Sequence, residues 1–291
     1  SLRDFRWELL PLILGLTFVN YCLRLGKWHY YLGQIGVRGL SIRESGLVFF
    51  SGLSMVVTPG KVGEWLKSYM LREVTGTPFA RSAPIIIAER LTDGLAMVAL
   101  ASGGLLLFRT GWPILLLVIL LAAAVVGISQ HRPLAERLFA LAERLPVISS
   151  RIHHLHEFYE SSRTLFSPRN LGIAVGVGFV SWMAECAAFY FVLVGLGEQG
   201  GGMLLIKAAF ILATTTLGGS VFLLPAGLGV IEGGLTGFQQ VLLGMPREMA
   251  GAGTLLIRFC TLWFGVSLGM LALLVLTRRL KARPQAAQAE A

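Results

Sequence analysis

The sequence predicts an all-α polytopic membrane protein with about five full spans plus two re-entrant broken-helix hairpins, the hairpins forming an inverted repeat. Three observations carry this expectation. Hydrophobic residues make up 55% of the chain and charged residues 14%, with a mean hydropathy of +0.71; soluble domains carry about 25% charged residues. Five apolar runs approach or exceed the ~20 residues that cross a bilayer, at 7–23, 83–108, 112–129, 171–196 and 254–277. Two more, 45–72 and 203–243, are apolar but broken near their centres by Pro and Gly, and broken backbone at membrane depth is tolerated only where it is buried in protein or lines a cavity.

In chain order, the sequence opens on Ser1 rather than methionine, so a preceding segment as long as a whole transmembrane helix is expected upstream of the first span. No cleavable signal pattern is visible. Residues 24–43 set Trp28, Tyr30 and Tyr31 among Arg24, Lys27, Arg38 and Arg43, the mixture expected where a helix meets headgroups. In the 131–170 loop, Ala135-Glu136-Arg137-Leu138 recurs as Ala142-Glu143-Arg144-Leu145, and Leu134, Leu138, Leu141 and Leu145 share one helical face. That pattern predicts an amphipathic helix on the cytoplasmic surface. His153, His154 and His156 have no companion carboxylate or cysteine at ligand spacing and read as part of a solvated loop. Cys22, Cys186 and Cys260 lie inside apolar runs and match neither a disulfide framework nor a zinc spacing, so no metal is expected. Residues 1–277 form one transmembrane domain, and 278–291 form a basic tail expected to be disordered.

The net charge of +9 would suggest nucleic acid in a soluble protein, but its placement gives it another meaning. If the first span runs outside to inside, inner segments hold sixteen Lys and Arg and outer segments four, with Lys61, Lys67, Arg90, Lys207 and Arg258 inside the spans or hairpins. This bias sets the C-terminus in the cytoplasm and brings the two hairpins in from opposite faces. No nucleic-acid partner is expected.

The remaining charges mark the candidate site. The first break reads Thr58-Pro59-Gly60-Lys61-Val62-Gly63-Glu64, with Lys67 a turn further on, and the following span carries Glu89-Arg90-Leu91-Thr92-Asp93. Charges at membrane depth cost roughly 2.5–3.5 kcal/mol each on insertion scales and persist where they face a polar cavity or one another. The second break reads Pro225-Ala226-Gly227-Leu228-Gly229-Val230-Ile231-Glu232, again Pro, Gly four residues later, then Glu. Arg90 follows Glu64 by 26 residues, and Arg258 follows Glu232 by 26. Between opposed hairpins this fits an inverted repeat whose two Glu and two Arg converge near the midplane, although the Pro-to-Glu spacings differ, five against seven.

A half-helix that starts at such a break offers free N–H groups and the positive end of its dipole to an anion such as phosphate, and Lys61 and Lys67 add charge there. Glu89 and Asp93, four apart, share one helical face, with Arg90 beside them. Glu64–Arg90 and Glu232–Arg258 could equally be structural ion pairs that pin the hairpins. Glu185, beside Trp182, and Thr215, between Thr214 and Thr216, are weaker candidates. Lys207 reads as a snorkelling residue, and the threonines as bonding their own helix.

With these motifs in order, Pro59 to Lys67, Glu89 to Asp93 and Pro225 to Glu232, the chain resembles the flippase-like transmembrane family found in lysylphosphatidylglycerol synthases and in stand-alone membrane proteins. The resemblance implies a multi-pass protein of the bacterial or archaeal plasma membrane, a further N-terminal helix, and movement of a lipid between leaflets. Its cargo would be a phospholipid, with aminoacylated phosphatidylglycerol the best known, or a polyprenyl-linked lipid. Lys61 and the first hairpin would hold the phosphate. Glu64, Glu232, Glu89 and Asp93 would receive a cationic headgroup or carry protons, and Arg90 and Arg258 would keep them ionised. The aminoacyl-transferase domain of the full synthases is absent from this chain, so no enzyme activity is expected, and no Walker-type loop points to a nucleotide cofactor. Two alternatives stay open: a lipid-linked glycosyl or phosphoryl transferase using Glu89 and Asp93 at a metal, and a non-transporting scaffold for a lipid-modifying enzyme.

Overall fold

A computed structural model describes residues 5–58, 62–108, 112–131, 152–221 and 225–289, and among them the chain is helical or turning, with no strand. A 3-10 turn (Trp7–Leu9) leads into α1 (Leu10–Gln34), followed by α2 (Ile42–Leu53), α3 (Val62–Thr75), α4 (Phe79–Phe108), α5 (Trp112–Gln130), α6 (Ile152–Leu165) and α7 (Pro168–Gly195). Then come α8 (Gly202–Val221), a 3-10 turn (Pro225–Gly227), α9 (Val230–Leu243), α10 (Arg247–Arg258), a π-helical turn (Phe259–Trp263) and α11 (Phe264–Ala289). Among the described residues, Trp7–Gln34, Pro168–Gly195, Gly202–Ser220 and Arg247–Ala282 are long and apolar enough to cross a membrane. The protein is an all-α polytopic membrane protein.

Both expected hairpins are helix–break–helix units. The first has short arms: α2 opens on a capping box, with the Ser41 hydroxyl accepting from the Glu44 N–H (3.2 Å) and the Glu44 carboxylate accepting from the Ser41 N–H (3.3 Å). Its 12 residues rise about 18 Å. The second departs from the expectation of two half-helices, because its first arm, α8, has 20 residues and rises about 30 Å, a full bilayer core. Between Gly202 and Gly218 this arm has neither Pro nor Gly, so nothing stops the helix earlier.

The two breaks sit in one repeating frame. α3 and α9 each have 14 residues, each ends on a glycine in the left-handed region (Gly76, φ 72°; Gly244, φ 69°), and each is followed two residues later by a proline, Pro78 or Pro246. Glu64 and Glu232 are both third in their helices, and Arg90 and Arg258 are both twelfth in the next. Every one of these positions is 168 residues from its counterpart. Packing follows the same exchange: α2 lies against α11 while α8 lies against α4, and α1 lies against α7. Three full crossings between the start of α1 and the start of α7 (α1, α4 and α5) would reverse α7 relative to α1, giving an inverted repeat.

Two apolar cores stack along the shared helices. One holds Ile13 of α1, Ala96, Met97 and Leu100 of α4 and Phe189, Val192 and Leu193 of α7, with α8, α9 and α10. The other holds Trp28, Tyr31 and Leu32 of α1, Ile85 and Ala88 of α4 and Ala174 of α7, with α2, α3, α6 and the far part of α11. Between them runs a buried polar layer: Asn20, Arg24 and Lys27 on α1, Glu89, Thr92 and Asp93 on α4, Ser181 and Glu185 on α7. Arg24, Asp93 and Glu185 lie within about 5 Å, along the axis, of their helix midpoints at 1.5 Å per residue. Asn20 Nδ2 donates to Ser181 O (2.9 Å) and Ser181 Oγ donates to Asn20 O (3.2 Å), locking α1 to α7 at this level.

Several sequence expectations change. Trp28 and Tyr31 are fully buried and Lys27 nearly so, and none of the three is at a headgroup interface; Trp28 instead supplies a ring face to a buried lysine. The backbone after Arg278 continues α11 to Ala289, across Pro284. The backbone at His153–His156 is helix, not loop, and His156 is exposed; among the described residues no group of His, Cys, Asp and Glu could hold a metal. The Leu134–Leu145 amphipathic pattern lies outside the described residues. All three cysteines are free, Cys22 exposed and the others buried.

Candidate functional site

A cavity of about 180 Å³ lies in the polar layer and is lined from both halves of the chain. At roughly 30 Å³ per water it has room for on the order of six waters, or one small polar headgroup. The first half contributes Arg24, Glu64, Lys67 and Arg90; the second contributes Glu185, Thr216, Ser220 and Arg258, together with Ala226 and Gly227 of the second break.

The charges form two groups. Two pairs border the cavity: Arg90 Nε lies 3.3 Å from Glu64 Oε2, and Arg258 Nε lies 2.6 Å from Glu232 Oε1. These are the two pairs spaced 26 residues apart in sequence. A second set runs from the cavity wall, at Lys67 and Arg24, into the bundle interior. Lys67 is ion-paired with Glu89, both almost wholly buried, and its ammonium lies over the rings of Trp28 (4.8 Å) and Phe49 (5.4 Å). Asp93 is paired with Lys27 and lies 3.7 Å from Arg24 Nη2 and 3.6 Å from Arg90 Nη2. Lys27 Nζ also donates to Thr92 Oγ1 (3.3 Å).

Backbone geometry ties the breaks to these pairs. In the first, a Cβ on Gly63 would lie 2.5 Å from Met55 backbone, so only glycine lets α3 start against the end of the preceding turn. In the second, Ala226 sits at φ 49° and Gly227 and Gly229 at φ 66° and 86°. A left-handed alanine is strained and is held where it is by Arg258, whose Nη2 donates to Ala226 O (3.0 Å). Glu232 completes the clasp, its Oε2 accepting from the Gly229 N–H (2.6 Å) while its other oxygen meets Arg258. Arg258 is therefore a latch on the break as well as a cavity cation.

The predicted residues separate accordingly. Glu64, Lys67, Arg90, Glu185 and Arg258 face the cavity, and Glu232 stands behind Arg258. Pro225 opens the 3-10 turn, and Gly63 and Gly229 shape the breaks. Glu89 and Asp93 are not on the cavity wall; their cations hold them inside the bundle. Thr215 is buried and bonds its own helix through Ile211 O (2.7 Å), while its neighbour Thr216 faces the cavity. Lys207 donates to Leu242 O (2.9 Å), at the other end of its hairpin. Pro59, Gly60 and Lys61 lie outside the described residues. Sequence reasoning missed Arg24, Lys27 and Tyr21. The signal was available: Asn20, Arg24 and Lys27 fall at i, i+4 and i+7, one helical face.

The fold and site define a polytopic helical membrane protein with two broken hairpins beside a charge-lined cavity, and the comparisons with known proteins place it more closely. The chain belongs to the family described as the lysylphosphatidylglycerol synthase TM region, which matches residues 1–269. It is similar to three proteins of Methanothermobacter thermautotrophicus, each named UPF0104 membrane protein. One is 24% identical over 286 residues, covering 90% of this chain and 82% of the relative. A second is 25% identical over 233 residues, covering 72% and 68%, and a third 23% identical over 298 residues, covering 90% and 83%.

Proposed function

We propose that this protein moves a lipid between membrane leaflets, holding the polar headgroup in the cavity while the acyl or prenyl chains stay in lipid. The observation that carries this is the meeting of both breaks, three arginines and Glu185 around one headgroup-sized cavity at the helix midpoints. The arginines suit a phosphate, present in phospholipids, aminoacylated phosphatidylglycerol and polyprenyl-linked lipids alike. Glu64–Arg90 and Glu232–Arg258 act as matched latches on the two hairpins, and exchange of these pairs opens one side or the other. The protein acts as a carrier and not as an enzyme, with Glu89 and Asp93 holding the bundle together instead of serving chemistry. It resides in the plasma membrane with its C-terminus in the cytoplasm: with Arg24 and Lys27 reassigned to the bundle interior, fourteen basic residues still stand inside against four outside. A lipid-modifying enzyme is the natural supplier of cargo.

The test is lipid scrambling by purified protein in liposomes, using headgroup-labelled phosphatidylglycerol, lysylphosphatidylglycerol and a polyprenyl phosphate. Headgroup-dependent transfer that Glu64→Gln or Arg90→Gln abolishes, with folding intact, supports the carrier. Absence of transfer for every lipid, with a partner enzyme still bound, would move the protein to the scaffold role.

A further inference from the structure

Glu185 differs from every other charge in this layer. It is buried at 8% exposure and lines the cavity, yet among the described residues it has no cation within ion-pair distance. Every other carboxylate here is engaged: Glu64 by Arg90, Glu232 by Arg258, Glu89 by Lys67, Asp93 by Lys27, Arg24 and Arg90. With Glu185 ionised, the described layer holds five cations (Arg24, Lys27, Lys67, Arg90, Arg258) and five carboxylates (Glu64, Glu89, Asp93, Glu185, Glu232) and is neutral. With Glu185 protonated it carries one net positive charge, and a buried charge without a counter-ion is costly. An incoming monoanion restores neutrality.

We infer that Glu185 takes up one proton as the cavity takes up one phosphate group, so that anion and proton bind together. This rests on the headgroup reading of the cavity. The phosphate sits between Arg24, which stacks on Trp182 (5.6 Å) one turn from Glu185, and Arg258. The proton comes from water and forms an O–H bond on the Glu185 carboxyl; the phosphodiester enters with its single charge, and both leave together. The groups facing Glu185 agree with this balance. From α1 come Tyr21, whose hydroxyl donates to Thr261 O, and Arg24; from α4, Arg90 on the cavity wall with Asp93 behind it; from α10, Arg258. On α3 are Glu64 and Lys67, already paired, and α8 offers only the hydroxyls of Thr216 and Ser220. Cys186, adjacent on α7, faces the apolar core.

The probe is dihexanoylphosphatidylglycerol, whose phosphodiester does not titrate near neutral pH, bound to the full chain in detergent and followed by calorimetry between pH 5.5 and 8.5 in buffers of different ionisation enthalpy. Wild-type protein is expected to take up close to one proton per lipid at the pH values where Glu185 is ionised in the free protein, and to lose about tenfold in affinity per pH unit there and only there. Glu185→Gln, which holds the neutral state, is expected to bind with no proton uptake and no pH dependence, and Arg24→Gln to bind weakly at every pH. Binding by wild-type protein without proton uptake, or uptake that persists in Glu185→Gln, overturns the inference. If Glu185→Gln does not fold, the wild-type buffer series decides alone. Inorganic phosphate binding as tightly as the lipid would keep the proton-linked phosphate site and overturn the lipid carrier; a lack of scrambling alongside proton-linked lipid binding would do the same.

Discussion

The ion pair of Lys67 with Glu89 offers the sharpest quantitative test, because its two ends are not equally protected. Both side chains are almost wholly buried, at 7% and 2% exposure. Removing one partner of such a pair costs about 3–5 kcal/mol, whereas replacing both with apolar groups of similar volume is often neutral. Lys67→Met leaves the Glu89 carboxylate with no cation among the described residues, and one of its oxygens, Oε1, already lacks a hydrogen-bond partner. The full penalty is expected, about 3–5 kcal/mol. Glu89→Met leaves an ammonium that still faces Trp28 and Phe49, worth about 0.5–2 kcal/mol, so its cost should be lower by roughly that amount. Lys67→Met/Glu89→Met should fall within about 1 kcal/mol of wild type, a coupling of about 3 kcal/mol or more. Equilibrium unfolding in mixed detergent, followed by tryptophan fluorescence, measures all three. Additive losses, or a larger loss for Glu89→Met than for Lys67→Met, would refute the assignment of this pair as a desolvated structural bond.

Three further outcomes follow from the same geometry. Arg258→Gln should destabilise more than Glu64→Gln, by about 1–3 kcal/mol in the same unfolding assay, because it removes the cation from Glu232 and the donor to the strained Ala226 carbonyl together. A Cβ at Gly269 would lie 2.3 Å from Ser54 N on the α2 side of the α2–α11 contact, so Gly269→Ala should cost about 1–3 kcal/mol, while Gly15→Ala, with nothing within 4 Å, should be neutral or stabilising by up to about 1 kcal/mol; thermal melting separates them. Lys207→Gln should leave scrambling within about twofold of wild type, about 0.4 kcal/mol, since its ammonium bonds Leu242 O away from the cavity.

Much of the fold was legible because the bilayer leaves few options. A chain with 55% hydrophobic residues must satisfy its backbone within helices, and Pro clustered with several Gly, as at 225–229, marked a break, whereas Pro84 alone left α4 continuous. The equal spacing from Glu64 to Arg90 and from Glu232 to Arg258 also identified two pairs that the structure brings together. The fuller repeat was present too, in Gly76-Thr77-Pro78 and Gly244-Met245-Pro246, where a left-handed glycine ends one helix and a proline precedes the next.

Only the tertiary structure decided which charges face the cavity. Sequence spacing places Glu89, Arg90 and Asp93 on one helix, but which of them meets water depends on where α1 and α3 deliver Lys27 and Lys67. Both lysines come from segments that read locally as interface or anion site. Trp28 and Tyr31 misled for the same reason: an aromatic beside basic residues has one composition whether it sits among headgroups or against a buried ammonium. Glu185 shows the reverse. Its position in mid-span made it a candidate, and only the arrangement of five helices around it showed that, among the described residues, every neighbouring carboxylate has a cation within ion-pair distance and Glu185 has none. Charge balance is a property of the assembled layer, whose residues lie up to 234 positions apart in the chain, from Arg24 to Arg258, and no local pattern encodes it.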